Sequence, residues 1–137
     1  MSIYAVYDTN VLVSALLSRK PDSAVVAVVE ALLTGKVTPL YNGEIVQEYR
    51  DVLRRDKFRL PQKLVDSIVA YIVENGIDSQ RNASAETLPD PQDVVFYEVA
   101  LSKEGVFLVT GNKKHFPQTS IVVSPSEFLE VLRGKTE

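Results

Sequence analysis

The first sixteen residues constrain the fold most, because a strand-like run leads directly into a helical pattern with an acidic residue between them. Residues 3–7 form a short apolar run rich in β-branched and aromatic side chains, which is typical of a buried strand. The small polar residues Asp8, Thr9 and Asn10 follow, and apolar side chains recur at helical spacing over 11–16. Open α/β sheets place ligand-binding residues where a strand ends and a helix begins. Asp8 or Asn10 can equally be the N-cap of that helix.

The rest of the chain alternates short apolar runs with segments of helical periodicity. This alternation predicts an α/β fold, with a mainly parallel central sheet and helices on both faces. The patterns predict further strands over 37–41, 77–81, 106–110 and 121–123, and further helices over 24–33, 43–55, 61–76, 90–104 and 125–132. The two successive helices over 43–76 form a helical pair inserted in the α/β series.

Size and composition narrow the class of protein. A length of 137 residues predicts one domain spanning 1–137. The chain has no cysteine, which excludes disulfides and thiolate metal sites. It has no export signal and no apolar run approaching ~18 residues, so we expect a cytoplasmic protein. The net charge of -3 argues against a generally basic nucleic-acid-binding surface, but it is compatible with an acidic metal site.

Glu48 lies within the predicted helix over 43–55. At 100° per residue it falls just outside the apolar stripe that contains Ile45 and Tyr49, and not on the fully polar face. One interpretation is a functional carboxylate. The alternative is a boundary carboxylate that pairs with Arg55, since charged residues commonly flank an apolar stripe.

Asp93 shares a predicted helix face with Phe96 and Ala100, so a carboxylate lies on the side that packs inward. Helix-start chemistry is a strong alternative explanation. Asp90 is a good N-cap, Pro91 suits the first helical position, and an acid in the first turn is favoured by the helix dipole. These preferences explain Asp90 without a function and Asp93 only in part.

Asn112 follows Thr110 and Gly111 at the carboxyl end of a predicted strand, the same sheet edge at which Asp8 lies. Turn chemistry is a sufficient alternative reason for the glycine and asparagine. His115 is the single histidine, so we expect a surface or substrate-contacting side chain and not a zinc ligand. Several carboxylates brought together without histidine or cysteine suit magnesium or manganese. Without a metal they would repel, and at least one would bind a proton.

Four sequence blocks together carry a resemblance to the PIN-domain family of metal-dependent nucleases. The chain looks closest to the branch of toxin components of toxin–antitoxin pairs, and the resemblance spans nearly the whole chain. The blocks are residues 6–14, residues 48–53 with Lys57 and Phe58, residues 90–93 leading into 98–101, and residues 108–112.

The resemblance implies a site built from three acids. It puts Asp8, Glu48 and Asp93 at the catalytic, metal-binding positions for Mg²⁺ or Mn²⁺. Three further residues, Thr9, Asn10 and Thr110, would support the site. The family usually has a fourth acid after Thr-Gly, where this chain has Asn112. Asparagine can still offer a carbonyl oxygen, but it removes one negative charge, so a single metal ion is the simpler expectation.

Two basic clusters adjoin these blocks and are candidates for RNA contacts. One is Arg54, Arg55, Lys57 and Arg59, and the other is Lys113 and Lys114. Each can equally be a solvated segment whose positive charge interacts with a helix end.

The leading hypothesis is a metal-dependent endoribonuclease that is the toxin of a toxin–antitoxin pair, with an antitoxin protein as its partner. The main alternative is a weakly active or inactive module of the same fold that binds RNA or protein, with Asn112 in place of the fourth acid. A receiver-type phosphotransfer domain is disfavoured because no Asp-x-Asp follows the first strand. The valine-rich helix over 24–33 could form a homodimer surface, or it could be plain core.

Overall fold

A computed structural model of the chain describes residues 3–134 and contains a five-stranded sheet in which every neighbouring pair is parallel. The strand order across the sheet is β3-β2-β1-β4-β5. The strands are β1 (Ile3–Tyr7), β2 (Val37–Tyr41), β3 (Ile77–Asp78), β4 (Val106–Val109) and β5 (Val122–Val123).

Six helices accompany the sheet, which confirms the predicted α/β class. They are α1 (Thr9–Leu17), α2 (Ala24–Leu33), α3 (Gly43–Leu53), α4 (Gln62–Asn75), α5 (Val94–Ala100) and α6 (Pro125–Leu132). Short 3-10 turns lie at Asp56–Phe58, Pro91–Asp93 and Lys113–His115. Helix α2 packs on both α1 and α6, and helix α3 packs on both α4 and α5. No helix within residues 3–134 is long and apolar enough to cross a membrane.

The strand order creates a crevice at one edge of the sheet. From β1 the chain builds outward to β2 and β3 on one side, and it then returns to add β4 and β5 on the other side. The connections diverge at the carboxyl ends of β1 and β4, which is where open α/β sheets bind ligands. The Asp8 amide donates a hydrogen bond to the Val109 carbonyl at 2.9 Å, so the pairing of β1 with β4 continues up to this crevice.

Two buried tyrosines tie three helices to the end of β1. The Tyr7 hydroxyl donates to the Val28 carbonyl of α2 at 2.6 Å, and the Tyr7 ring meets Phe128 of α6 edge-on at 6.1 Å. The Tyr49 hydroxyl of α3 donates to the Tyr7 carbonyl at 2.5 Å. Because buried hydroxyls must find partners, these contacts also fix where α2 and α3 lie. Contacts from α2, α3 and α6 therefore fix the position of Tyr7, the residue that precedes Asp8.

The prediction of a helix over 90–104 is wrong in its length, because α5 covers only Val94–Ala100. The Asp90 carboxylate accepts from the Gln92 amide at 2.9 Å and closes the 3-10 turn Pro91–Asp93, so α5 begins only at Val94. At the other end the Ser102 hydroxyl donates to the Val99 carbonyl at 2.6 Å, which satisfies a carbonyl of the last turn. Local side-chain hydrogen bonds thus shorten the helix at both ends.

Three predicted strands are shorter in the structure, and one of them, β4, ends at Val109 instead of Thr110. Strand β3 covers only the first two residues of the predicted strand over 77–81, and β5 omits Ile121. Both are edge strands, with hydrogen-bonding partners on one side only. The helical pair over 43–76 becomes α3 and α4, which connect β2 to β3. Helix α2 buries Val28, Val29, Ala31 and Leu32 and packs on α1 and α6.

Candidate active site

Asp8 follows β1 at the crevice and is almost fully buried, with 6% of its surface exposed. It occupies the N-cap position of α1 but makes no side-chain capping hydrogen bond to that helix. One carboxylate oxygen instead accepts a hydrogen bond from the Thr110 hydroxyl at 2.8 Å. Burial raises the pKa of Asp8, and the hydrogen bond from Thr110 partly opposes that rise. The backbone amides of Asn10 and Thr9 also lower the pKa of Asp8, so its carboxylate lies at the start of α1 while its side-chain hydrogen bond comes from Thr110.

Side-chain bridges join the segments that follow β1 and β4. The buried Thr110 hydroxyl donates to Asp8 and accepts from the Asn112 amide at 3.0 Å. The Asn10 side-chain carbonyl accepts from the Gly111 amide at 3.2 Å. A residue 102 positions away from Asp8 thus fixes its carboxylate, because parallel strands bring their carboxyl ends to the same edge.

Glu48 projects from α3 into the same cleft and is half-buried. Burial raises its pKa, the nearby Arg55 lowers it, and the charges of Asp51, Asp8 and Asp90 raise it. Within residues 3–134, neither a hydrogen bond nor an ion pair engages the Glu48 side chain. Arg55 therefore acts on Glu48 through its charge and does not form a direct ion pair with it.

Asp93 ends the Pro91–Asp93 turn, and its side chain is 16% exposed. Its carboxylate lies 3.4 Å from Nδ1 of His115. Burial, followed by the charges of Asp8 and Asp90, raises the pKa of Asp93 to about 6, while His115 opposes the rise. The negative charge of Asp8 therefore acts on Asp93 across the cleft.

These side chains line one open cleft of about 350 Å³. The predicted residues that line it are Asp8, Thr9, Asn10, Glu48, Arg55, Asp93 and Asn112. Thr110 lies beneath the cleft as the hydrogen-bond donor to Asp8. Sequence reasoning did not assign a site role to Asp90, Gln92 or Phe58, which also line it. Asp90 had a sufficient local explanation as a cap. Phe58 belongs to one of the four resemblance blocks and lies between Lys57 and Arg59 of the basic cluster, but nothing in the sequence indicated a role for its side chain.

Of the six predicted RNA contacts, Arg55 lines the cleft and the other five, Arg59 among them, do not. Arg54 pairs with Asp66 at 2.6 Å, and Lys113 pairs with Glu127 at 2.8 Å. Lys113 and Lys114 line a separate cavity. Lys57 places its ammonium 5.1 Å from the centre of the Phe58 ring, at the margin of the cleft. Arg55 is the predicted cation that lines the cleft itself.

The donor chemistry of the cleft fits a hard divalent cation. Its carboxylate, amide and hydroxyl oxygens are the ligand types that such ions prefer. The Thr9 hydroxyl oxygen is a second indication, because it is the one buried side-chain polar atom within residues 3–134 that has no hydrogen-bond partner. No three histidine or carboxylate side chains in that range form a complete metal-binding cluster. The oxygen donors therefore line one cleft, but they do not surround a single ion position.

Comparison with known protein families gives one match. The family model described as PIN domain matches residues 4–114, which include all of β1 to β4 except Ile3 and contain Asp8, Glu48 and Asp93. Neither the curated proteins nor the solved structures contain a match to this chain. Because the family match covers most of its length, the chain belongs to the PIN domain family.

Proposed function

We propose that this protein is a metal-dependent endoribonuclease that hydrolyses RNA phosphodiester bonds and acts as the toxin of a toxin–antitoxin pair. PIN domains are generally nucleases, which supports the hydrolase class. The single observation that carries the proposal is the cleft in which Asp8, Glu48 and Asp93 lie at the carboxyl edge of the sheet. The toxin role and an antitoxin partner rest on the resemblance of the four sequence blocks.

In this proposal Asp8 and Asp93 are the principal ligands of one Mg²⁺ or Mn²⁺ ion, with Glu48 as a third ligand or a water-orienting group. The ion, when bound, stabilises the charge that develops on the cleaved phosphodiester. The raised pKa values of the three acids support this assignment. Burial disfavours the charged form of all three, neighbouring carboxylates add to the rise at Glu48 and Asp93, and a cation would relieve both effects.

Each side chain of the cleft has a distinct task. Thr110 holds the Asp8 carboxylate in one orientation through its hydroxyl. Glu48, which lacks a bonding partner within residues 3–134, is suited to hold the attacking water and accept its proton. Asn112 contributes an amide where the family usually has an acid, which favours one ion over two. Arg55 offers a positive charge to the phosphate.

The test is cleavage of a mixed RNA panel by the purified protein with manganese, with magnesium and with a chelator. We expect cleavage only with a metal. Asp8→Asn should reduce the rate by roughly 100-fold or more, since losing even an outer partner of a metal site costs about 10–100-fold.

Asp22→Asn is the matched control, because Asp22 is an exposed acid in the turn before α2, outside the cleft. We expect this variant to cleave like the wild type. Cleavage that persists in Asp8→Asn would contradict the assignment of the site. Absence of cleavage by folded wild-type protein, together with no thermal shift on adding manganese, would favour a binding module without catalytic activity.

A further inference from the structure

Phe58 is the exception among the five phenylalanines of the chain. Phe96, Phe116 and Phe128 are buried in the core, and Phe107 packs on Phe128 with ring centres 5.7 Å apart. Phe58 is only half-buried, and within residues 3–134 it does not belong to the side chains that pack against the core. Core packing therefore does not explain this ring.

The ring lies at the margin of the carboxylate cleft, on a short ordered turn. The Asp56–Phe58 turn follows two residues after α3, the helix that carries Glu48. The Phe58 amide donates to the Arg55 carbonyl at 3.1 Å and closes the turn, and the Arg55 amide donates to the Val52 carbonyl of α3 at 3.2 Å. The Lys57 ammonium lies 5.1 Å from the ring centre, a cation–π distance. An aromatic ring is thus held beside the catalytic acids instead of being buried.

Arg55 and Phe58 together match the phosphate and the base of a nucleotide. The acids of the cleft repel a phosphate, so a polynucleotide needs compensating contacts nearby. Arg55 and Phe58 both line the cleft, and they are three residues apart at the end of one helix. Proteins hold unpaired nucleotides by pairing cationic side chains with aromatic rings on which bases stack. A guanidinium suits the phosphate, and the ring suits the flat face of a base.

We propose that Phe58 is the base-stacking residue of this site and holds an unpaired nucleobase next to the phosphate contacted by Arg55. This inference rests on the proposed function, since it names how the RNA substrate is gripped. A base that is paired within a duplex cannot place its face on a side chain. The site therefore selects single-stranded RNA over duplex RNA of the same sequence.

The test measures binding of a fluorescently labelled single-stranded RNA oligonucleotide in chelator, where we expect no cleavage. Phe58→Leu should weaken binding by roughly 5- to 100-fold, the range expected for loss of one base–aromatic stack. Phe58→Tyr keeps the ring and should bind nearly as well as the wild type.

Tyr4→Leu is the matched control. Tyr4 also carries a lysine over its ring, with the Lys103 ammonium 4.5 Å from the ring centre, but it lies near the amino end of β1, away from the cleft. We expect this variant to bind RNA like the wild type. Thermal melting of each variant establishes that the compared proteins are folded.

A second measurement reports the contact itself. Photo-crosslinking of an iodouridine-substituted oligonucleotide, mapped by mass spectrometry, should place the crosslink at Phe58, and an unlabelled duplex should compete poorly. Unchanged affinity of folded Phe58→Leu or equal competition by the duplex would each overturn the inference. Unchanged affinity is also what a protein-docking role for Phe58 would produce. Binding that depends on Phe58 without any metal-dependent cleavage would support the stack and contradict the nuclease.

Discussion

At the scale of single residues, the carboxylates of the cleft lower the stability of the fold, although the proposed metal chemistry needs them. Folding buries Asp8 and places Asp93 within range of its charge. Both carboxylates lose hydration, and the charge of Asp8 repels that of Asp93. The Thr110 hydroxyl offsets part of this cost at Asp8 by bonding to the charged form. Among the described residues, the donor beside Asp93 is His115, whose Nδ1 lies 3.4 Å from the carboxylate.

Asp93 predicts a pH dependence of stability with a definite sign. Its pKa rises from the usual value of 3.8 to about 6 on folding, so the folded state binds more protons between those two values. Stability of the metal-free protein should therefore fall as the pH rises from about 4 to about 6, and the loss is complete above that range. Asp93→Asn removes the charge, and we expect it to flatten this dependence and to raise Tm at pH 7.

Melting curves of wild type and Asp93→Asn in chelator, over a series of pH values, measure the effect. The same variant should lose the stabilisation that manganese gives the wild type, because it removes a metal ligand. Asp22→Asn serves again as the control and should follow the wild type in both respects. An Asp93→Asn curve that keeps the full pH dependence of the wild type would refute the electrostatic explanation.

At the scale of elements, the position of Asp93 depends on how the connecting segment before it is anchored. The coil between β3 and the Pro91–Asp93 turn has no helix or strand of its own. The Arg81 guanidinium ties it down by pairing with Glu44 at 2.9 Å and with the nearly buried Glu98 at 2.8 Å. Glu98 also accepts from the Ser84 amide at 2.8 Å. These bonds attach the start of the coil to α3 and α5, which is why the turn bearing Asp93 lies at the cleft.

The junction between α4 and β3 predicts a position where only glycine fits. A Cβ atom added at Gly76 would lie 2.5 Å from the carbonyl oxygens of both Ile72 and Pro39, and neither backbone oxygen can move without disturbing α4 or β2. Gly76→Ala should lower the free energy of unfolding by ~1–3 kcal/mol, as overpacking does in well-packed interiors. Chemical denaturation of the variant beside the wild type measures the difference.

Gly43 provides the matched comparison for Gly76. A Cβ atom at Gly43 meets nothing within 4 Å, and the residue begins α3. We expect Gly43→Ala to be neutral or to stabilise by up to about 1 kcal/mol, because alanine favours a helix over glycine. Equal effects of the two substitutions would show that the crowding at Gly76 is relieved by a backbone shift.

At the scale of the whole molecule, all five strands belong to one sheet, and the buried side chains form one continuous core. We therefore expect the chain to unfold as a single cooperative unit, in line with the prediction of one domain. Far-ultraviolet circular dichroism and the fluorescence of the six tyrosines should give the same midpoint in denaturant. Two separated transitions would contradict this and would point to independent unfolding of the helical pair over 43–76.

Much of the fold was predictable because local patterns and tertiary packing agree. The predicted bounds of α2, α6 and β2 match the structure, since each has a clear cap or turn and a continuous apolar face. The extent of α5 was not predictable from periodicity. Its ends are set by the side-chain hydrogen bonds of Asp90 and Ser102, which compete locally with the helix. The two edge strands are short for a different reason, because their length depends on how much of a neighbouring strand lies beside them.

The sequence by itself determined the α/β class, because strand and helix periodicity are local properties. The set of candidate acids came from the four sequence blocks that resemble the PIN-domain family, since local patterns left a structural alternative open for each acid. Only the tertiary structure decided which polar residues share the cleft and which do not. Strand order brings Thr110 to Asp8 across 102 positions, and packing turns Arg55 and Phe58 toward the acids while Arg54 pairs with α4. Distances between residues far apart in the chain follow from the packing of the whole core, which no local pattern contains.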